Sequence, residues 1–219
     1  MGVFTALTNG IPIDTGLVVN DGYNARIMRK SKSARRAYFV QHEMVLYLLD
    51  GKNPTEMPDE WFTLPTADDM DNALSSFFAA AHVDRLMAEK RFDEAISAIG
   101  FILENAHVMC GVHRTMLICN LMYCEMINGA SRDTVERLLT REQVSVMKQM
   151  KNFPVVIRTE YAYTMLCKDD RAGSVEMLKR FDRIAKTYPY PVDIEGEREL
   201  MLLADKKYYE IKGATNGKN

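Results

Sequence analysis

Long apolar runs are what this sequence most lacks. No stretch is long enough to cross a bilayer, and the first 19 residues have no basic n-region and carry Pro12 and Asp14, unlike a secretory signal. A soluble chain is the expectation. Excess charge of one sign is missing too: 28 basic and 30 acidic residues leave a formal net charge of −2, so no global field draws the chain to nucleic acid or acidic lipid. The four cysteines, Cys110, Cys119, Cys124 and Cys167, form no CxxC pair and no regular framework. Three of them sit in apolar helical patterns, as buried reduced thiols of a cytosolic protein do. A Gly-rich phosphate loop, a GxSxG elbow and a defensible Ser/His/Asp set are all absent. HExxH is absent as well, since "HEMVL" at 42–46 has Leu46 where the second histidine would stand, and this excludes a self-contained zinc protease of that class.

What is present reads as a folded helical protein. The 219 residues are 47% hydrophobic and 26% charged, enough to bury a sizeable core. Fifteen methionines suit irregular helix–helix gaps or adaptable binding surfaces, and core filling is the simpler reading. From Ser33 onward the apolar period is helical. "SARRAYFVQHEMVLYLLDG" places Ala34, Ala37, Tyr38, Gln41, Val45, Leu48 and Leu49 on one face, with Gly51 closing the helix. Pro54, Pro58 and Pro65 make 52–66 a connector, which Trp61 is expected to pin onto the helices.

Residues 67–212 read as three helix pairs and a closing helix. The turns inside the pairs fall near Lys90, Gly129 and Asp169, steps of 39 and 40 residues. Such steps mark a helical-hairpin repeat, in which each pair buries its faces by stacking on neighbours. Ala80, Leu86 and the "KRFDEA" turn resemble the tetratricopeptide repeat (TPR), while the later pairs are longer and keep only its apolar pattern. The expected fold is therefore all-α: a TPR-like antiparallel array of helical hairpins, a right-handed solenoid, behind an irregular N-terminal extension. The expected divisions are an extension over 1–32, a helix and connector over 33–66, the repeat domain over 67–212 and a disordered tail over 213–219.

Two clusters stand out as candidate sites. His107, Cys110 and His113 form an HxxCxxH, three zinc-ligand types at helical spacing. Gly111 interrupts them and no fourth ligand is evident, so surface histidines beside a half-buried thiol are the preferred reading. Arg26, Arg29, Lys30, Lys32, Arg35 and Arg36 form a basic run close to an apolar segment. It suits either a solvated helix start or the headgroups of anionic lipid, and it lacks the aromatic interleaving of a nucleic-acid platform.

The stretch "LTNGIPIDTGLVVNDGYNA", followed by "SARRAYFVQHEM" and "MPDEWF", resembles the C-terminal part of a clostridial and bacillar branch of the M50, site-2-protease-like, membrane zinc metallopeptidases. In that family an HExxH helix supplies two histidine ligands and the general base, and an N-P-D-G-like motif supplies an aspartate as third ligand. Asn9, Pro12, Asp21 and Gly22 fit a stretched version of that motif, with Asp21 as the implied ligand. The resemblance implies that residues 1–8 end a membrane helix and that a cytosolic helical-repeat tail follows. A lone carboxylate does not hold catalytic zinc, so no cofactor is expected in this chain alone. Two readings follow. The first is a non-catalytic interaction domain for a protein or peptide partner, a membrane metalloprotease among them, in the cytoplasm or at the inner face of the cell membrane. The second is a subunit of a split metalloprotease in which Asp21 completes a zinc site on another chain.

Overall fold

Capping side chains set where the helices begin. The computed structural model describes residues 20–70 and 72–216, and among these the chain is all-α, with ten α-helices and no strand. Asn20 opens α1 (Asp21–Lys30) by accepting from the Tyr23 N–H, and Ser31 opens α2 (Lys32–Leu49) by accepting from Ala34. Asn72 does the same for α3 (Ala73–Ala88) through Ser75. In each case a side-chain oxygen takes up one of the first-turn N–H groups that no helix can satisfy internally. α4 (Phe92–Asn105) and α5 (Gly111–Ile127) follow. Ser131 caps α6 (Arg132–Arg137) and Thr140 caps α7 (Arg141–Gln149). α8 (Pro154–Ala162) runs straight into a π-helical turn at Tyr163–Cys167, and α9 (Arg171–Ala185) and α10 (Pro191–Asn216) complete the chain.

Four helix ends share one geometry. Gly51, Lys90, Gly129 and Asp169 all take positive φ, the left-handed conformation that ends a helix. Three of these ends close identically: the N–H of Lys52, Arg91 and Ala130 reaches back to the carbonyls of Tyr47, Leu86 and Glu125. The residues with positive φ therefore recur at 39, 39 and 40. The 40-residue step has a local cause. Its helix ends in the π turn, and the closing bond runs from Asp170 to Thr164, one residue longer than the others. A π turn is how a helix absorbs a single inserted residue.

The chain divides into two compact units, 1–117 and 118–219, and the division falls inside α5. In the first unit α2 packs on α3 over Ala34, Ala37, Leu74 and Phe78, with Ile27 and Met28 of α1 added at the edge. The connector of 52–70 forms short 3₁₀ turns and is held twice. Trp61 stacks edge-on against Tyr47 at 5.0 Å, as expected. Arg85 donates to the carbonyl of Pro54, pairs with Asp59 at 3.0 Å and contacts Glu89, with its guanidinium over the Phe62 ring. In the second unit α8, α9 and α10 meet around Ile157, Tyr161, Met165, Phe181, Ile194 and Met201.

Several boundaries differ from the sequence reading. Residues 21–30, expected to be irregular, form a helix because Asn20 caps them. Leu49 lies on the exposed face of α2 rather than with Ala34 and Ala37. The helix expected to run unbroken after Gly129 is split in two, since Thr140 starts a fresh helix with Gln143 three residues on. The last helix continues through Asn216, past the point where a tail was expected, and 217–219 lie outside the described residues. Asn9, Pro12 and the proposed membrane-helix end at 1–8 also lie outside them.

Candidate functional site

The second unit contains an open, mostly apolar pocket of about 350 Å³. Three methionines from separate helices, Met122 of α5, Met147 of α7 and Met177 of α9, line it together with Leu139 and Val144. Unbranched thioether side chains repack at little cost, which suits a surface that must adapt to what enters it. The π turn supplies one wall: Tyr163 and Thr164 line the pocket, and Lys168 sits with its ammonium 5.0 Å from the Tyr163 ring centre. The Tyr163 hydroxyl donates to Glu136 Oε1 at 2.6 Å. Burial, then that bond to a carboxylate, pushes the phenol up to about 12, so it stays a neutral donor.

Charge at this pocket is mainly positive. Lys148, Lys168 and Arg180 stand against the single carboxylate of Glu160. Arg180 contacts Glu160, while its Nε is buried without a hydrogen-bond partner among the described residues. In the pocket wall, Thr159 bonds to the carbonyls of Cys119 and Val155. Next to it in sequence, Arg158 is fully buried: Nε meets Glu197 at 2.7 Å, Nη2 donates to Asn120 at 2.6 Å, and the guanidinium lies 4.5 Å from the Tyr123 ring centre. These groups fix the helices that carry the pocket. Burial drives the Cys119 thiol up to about 12, so it is a packing group rather than a nucleophile.

The residues singled out from the sequence lie in the first unit. His107 is exposed in the turn after α4, while Cys110 is buried and its Sγ lies 3.0 Å from His113 Nδ1. α5 begins at Gly111, so Cys110 and His113 meet across the first helical turn and His107 stays outside it. The His113 ring packs 4.2 Å from Phe77, and burial lowers it to about 4, keeping the imidazole neutral at physiological pH. Among the described residues no group of three His, Cys, Asp or Glu side chains is placed to hold a metal ion. Asp21 is the first residue of α1 and exposed. Arg26, Arg29, Lys30, Lys32, Arg35 and Arg36 are all exposed, Arg35 and Arg36 donating to the carbonyls of Met28 and Glu60.

Sequence reasoning did not find the pocket, whose lining is drawn from segments spread over 59 residues. The signal available was the methionine excess. No helix among the described residues is long and apolar enough to cross a membrane. Comparisons with protein-family models, curated proteins and solved structures found no match to this chain.

Proposed function

We propose that the chain is a non-catalytic interaction protein built as a TPR-like array of helical hairpins, related to the cytosolic tail of M50 membrane metallopeptidases. The observation that carries the interaction reading is the methionine-lined pocket of the second unit with its cationic edge. A pocket of this size, apolar inside with a few charged groups around it, suits one large apolar side chain of a peptide flanked by a carboxylate. The left-handed helix ends recurring at 51, 90, 129 and 169 support the repeat reading, because stacked hairpins of one length would end their helices at such steps. A partner containing such a peptide, a membrane metalloprotease among them, is the implied ligand.

A binding test decides it. Fluorescein-labelled peptides with an apolar residue next to Asp or Glu are titrated against the full chain. Saturable binding that disappears in Met177→Asp, with helicity by circular dichroism unchanged, is the expected result. If no peptide of the series saturates, or if Met177→Asp binds as well as the parent, the pocket is not the site.

The split-protease reading has one observation in its favour: Asn20, not Asp21, caps α1, so the Asp21 carboxylate is exposed and available to a ligand. Its test is zinc content of the chain purified together with an HExxH membrane protein. A metal equivalent lost in Asp21→Asn, with the complex still formed, would establish that reading. Zinc retained in Asp21→Asn would remove it.

A further inference from the structure

One face of α2 is open to solvent. Its exposed residues are Lys32, Arg35, Arg36, Phe39, His42, Glu43, Leu46 and Leu49, a continuous i, i+3, i+4, i+7 series. At 100° per residue they fall within about 140° of the helix circumference. The opposite side of the same helix is occupied, with Ala34 and Ala37 buried against Leu74 and Phe78. Phe39 is 67% exposed, Leu46 55% and Leu49 59%, so three large apolar groups on one helix face meet solvent together. Single exposed leucines need no explanation, whereas an aligned apolar stripe marks a contact surface.

The charge beside that stripe selects its partner. No aspartate or glutamate occurs between Asp21 and Glu43, while six cations fall in that stretch, in a chain whose net charge is −2. All six are exposed, and among the described residues none takes part in an ion pair. Among the described residues Arg35 and Arg36 bond to backbone carbonyls rather than to carboxylates, which leaves their charge uncancelled there. Exposed, unpaired cations next to an exposed apolar stripe are the two attractions of an interfacial helix: apolar side chains enter the headgroup region while Lys and Arg stay at its charged surface. A nucleic acid would be served by the cations alone and leaves the leucines unexplained. Glu43 is the one carboxylate on the stripe and opposes the attraction.

We propose that this face of α2, with the flanking cations of α1, docks on an anionic membrane surface, α2 lying in the interface rather than crossing it. The surface shares no residue with the pocket, so it stands whether or not the peptide reading holds.

The test is co-sedimentation of the full chain with vesicles of phosphatidylcholine alone and of phosphatidylcholine mixed with phosphatidylglycerol. Binding to the mixed vesicles at least about tenfold above the neutral ones is expected, weakening between about 0.1 M and about 0.5 M salt. Phe39→Ser with Leu46→Ser should reduce that binding about tenfold or more, and Arg29→Glu with Arg35→Glu by a comparable factor. The four positions are exposed, and circular dichroism checks that the variants fold. Equal binding to both vesicle types overturns the proposal. So does vesicle binding unchanged by Phe39→Ser with Leu46→Ser, which would place the contact elsewhere in the chain. Retention of RNA without vesicle binding, or dimerisation abolished by the same pair of serines, assigns the face to another partner and equally overturns it.

Discussion

In residues 20–117 two helices meet over Ala34 and Ala37, whereas in residues 118–216 three helices meet around an apolar cluster with a fully buried guanidinium nearby. The first arrangement brings α2 close to α3 by setting two alanines against Leu74 and Phe78. Its buried polar groups are small and uncharged, Ser75 bonding to Ser33 and Ser76 to the Met70 carbonyl, while the half-buried Arg85 ties the connector down. The second arrangement fills its contact with large side chains and must then satisfy a charge away from water. The cost of desolvating Arg158 is offset only because Glu197, Asn120 and the Tyr123 ring all face it. The lesson concerns tolerance: the first unit should object to added volume, the second to lost partners.

The largest expected effect follows from the second half of that statement. Arg158→Ala leaves the half-buried Glu197 and the buried Asn120 without their guanidinium partner and should cost about 3–5 kcal/mol. Urea unfolding followed by hydrogen exchange would show the loss concentrated in α8 and α10. A change below about 1 kcal/mol would mean the guanidinium is incidental and the comparison fails. The first unit is probed by the opposite change. Ala37→Leu adds volume where Leu74 and Phe78 leave none and should cost about 1–3 kcal/mol by overpacking. If it stabilises instead, the α2–α3 contact holds a void and is not sterically set.

Acidity should separate the units by sign. His113 is held at about 4 by burial, below its ordinary 6.5, so the folded state resists a proton that the unfolded chain accepts. Stability from this group is fully present above 6.5 and is lost as pH falls toward 4. Asp193 is pushed up to about 6 by burial and by the charge of Glu197, above its ordinary 3.8. Its folded form prefers the proton, so its contribution is fully present below 3.8 and is lost as pH rises through 6. Lowering pH from 7 to 4.5 should therefore loosen residues 20–117 and tighten residues 118–216, each by about 1–2 kcal/mol. Hydrogen exchange measured at both pH values resolves the two, and parallel changes in both units would refute the assignment.

What the sequence made legible were local signals. Gly51, Lys90, Gly129 and Asp169 were found as helix ends because a broken apolar period shows the end of a helix wherever it falls. The all-α class followed from the same period. The π turn at Tyr163–Cys167 was hidden in the 40-residue step, one residue longer than its neighbours, and a single insertion leaves no compositional trace. Leu49 was misplaced because helical periodicity allots apolar residues to the core, and a helix with apolar groups on two faces breaks that inference. Arg85, Arg158 and the pocket depend on which helices come together, and no local pattern encodes that. The basic run was visible as composition, while its alignment with Phe39, Leu46 and Leu49 needed the helix to be placed against α3.

The smallest expected effect lies at the start of the first unit, where cap and ligand readings of "VNDG" diverge. The Asn20 side chain accepts from the Tyr23 N–H at 3.1 Å, so the cap belongs to Asn20. Asn20→Ala should cost about 1 kcal/mol, the usual loss when a first-turn N–H is left without its acceptor. Asp21 is one residue further on, exposed, in the first turn, where the field of the helix N-terminus acts on it. Asp21→Ala should therefore cost no more than about 0.5 kcal/mol, and added salt should shrink the difference by screening that field. A urea series on both variants and the parent separates the two values, which a single melt does not. Were Asp21→Ala to cost as much as Asn20→Ala, the carboxylate would be structural, and its availability to a metal on another chain would lose the one observation that favours it.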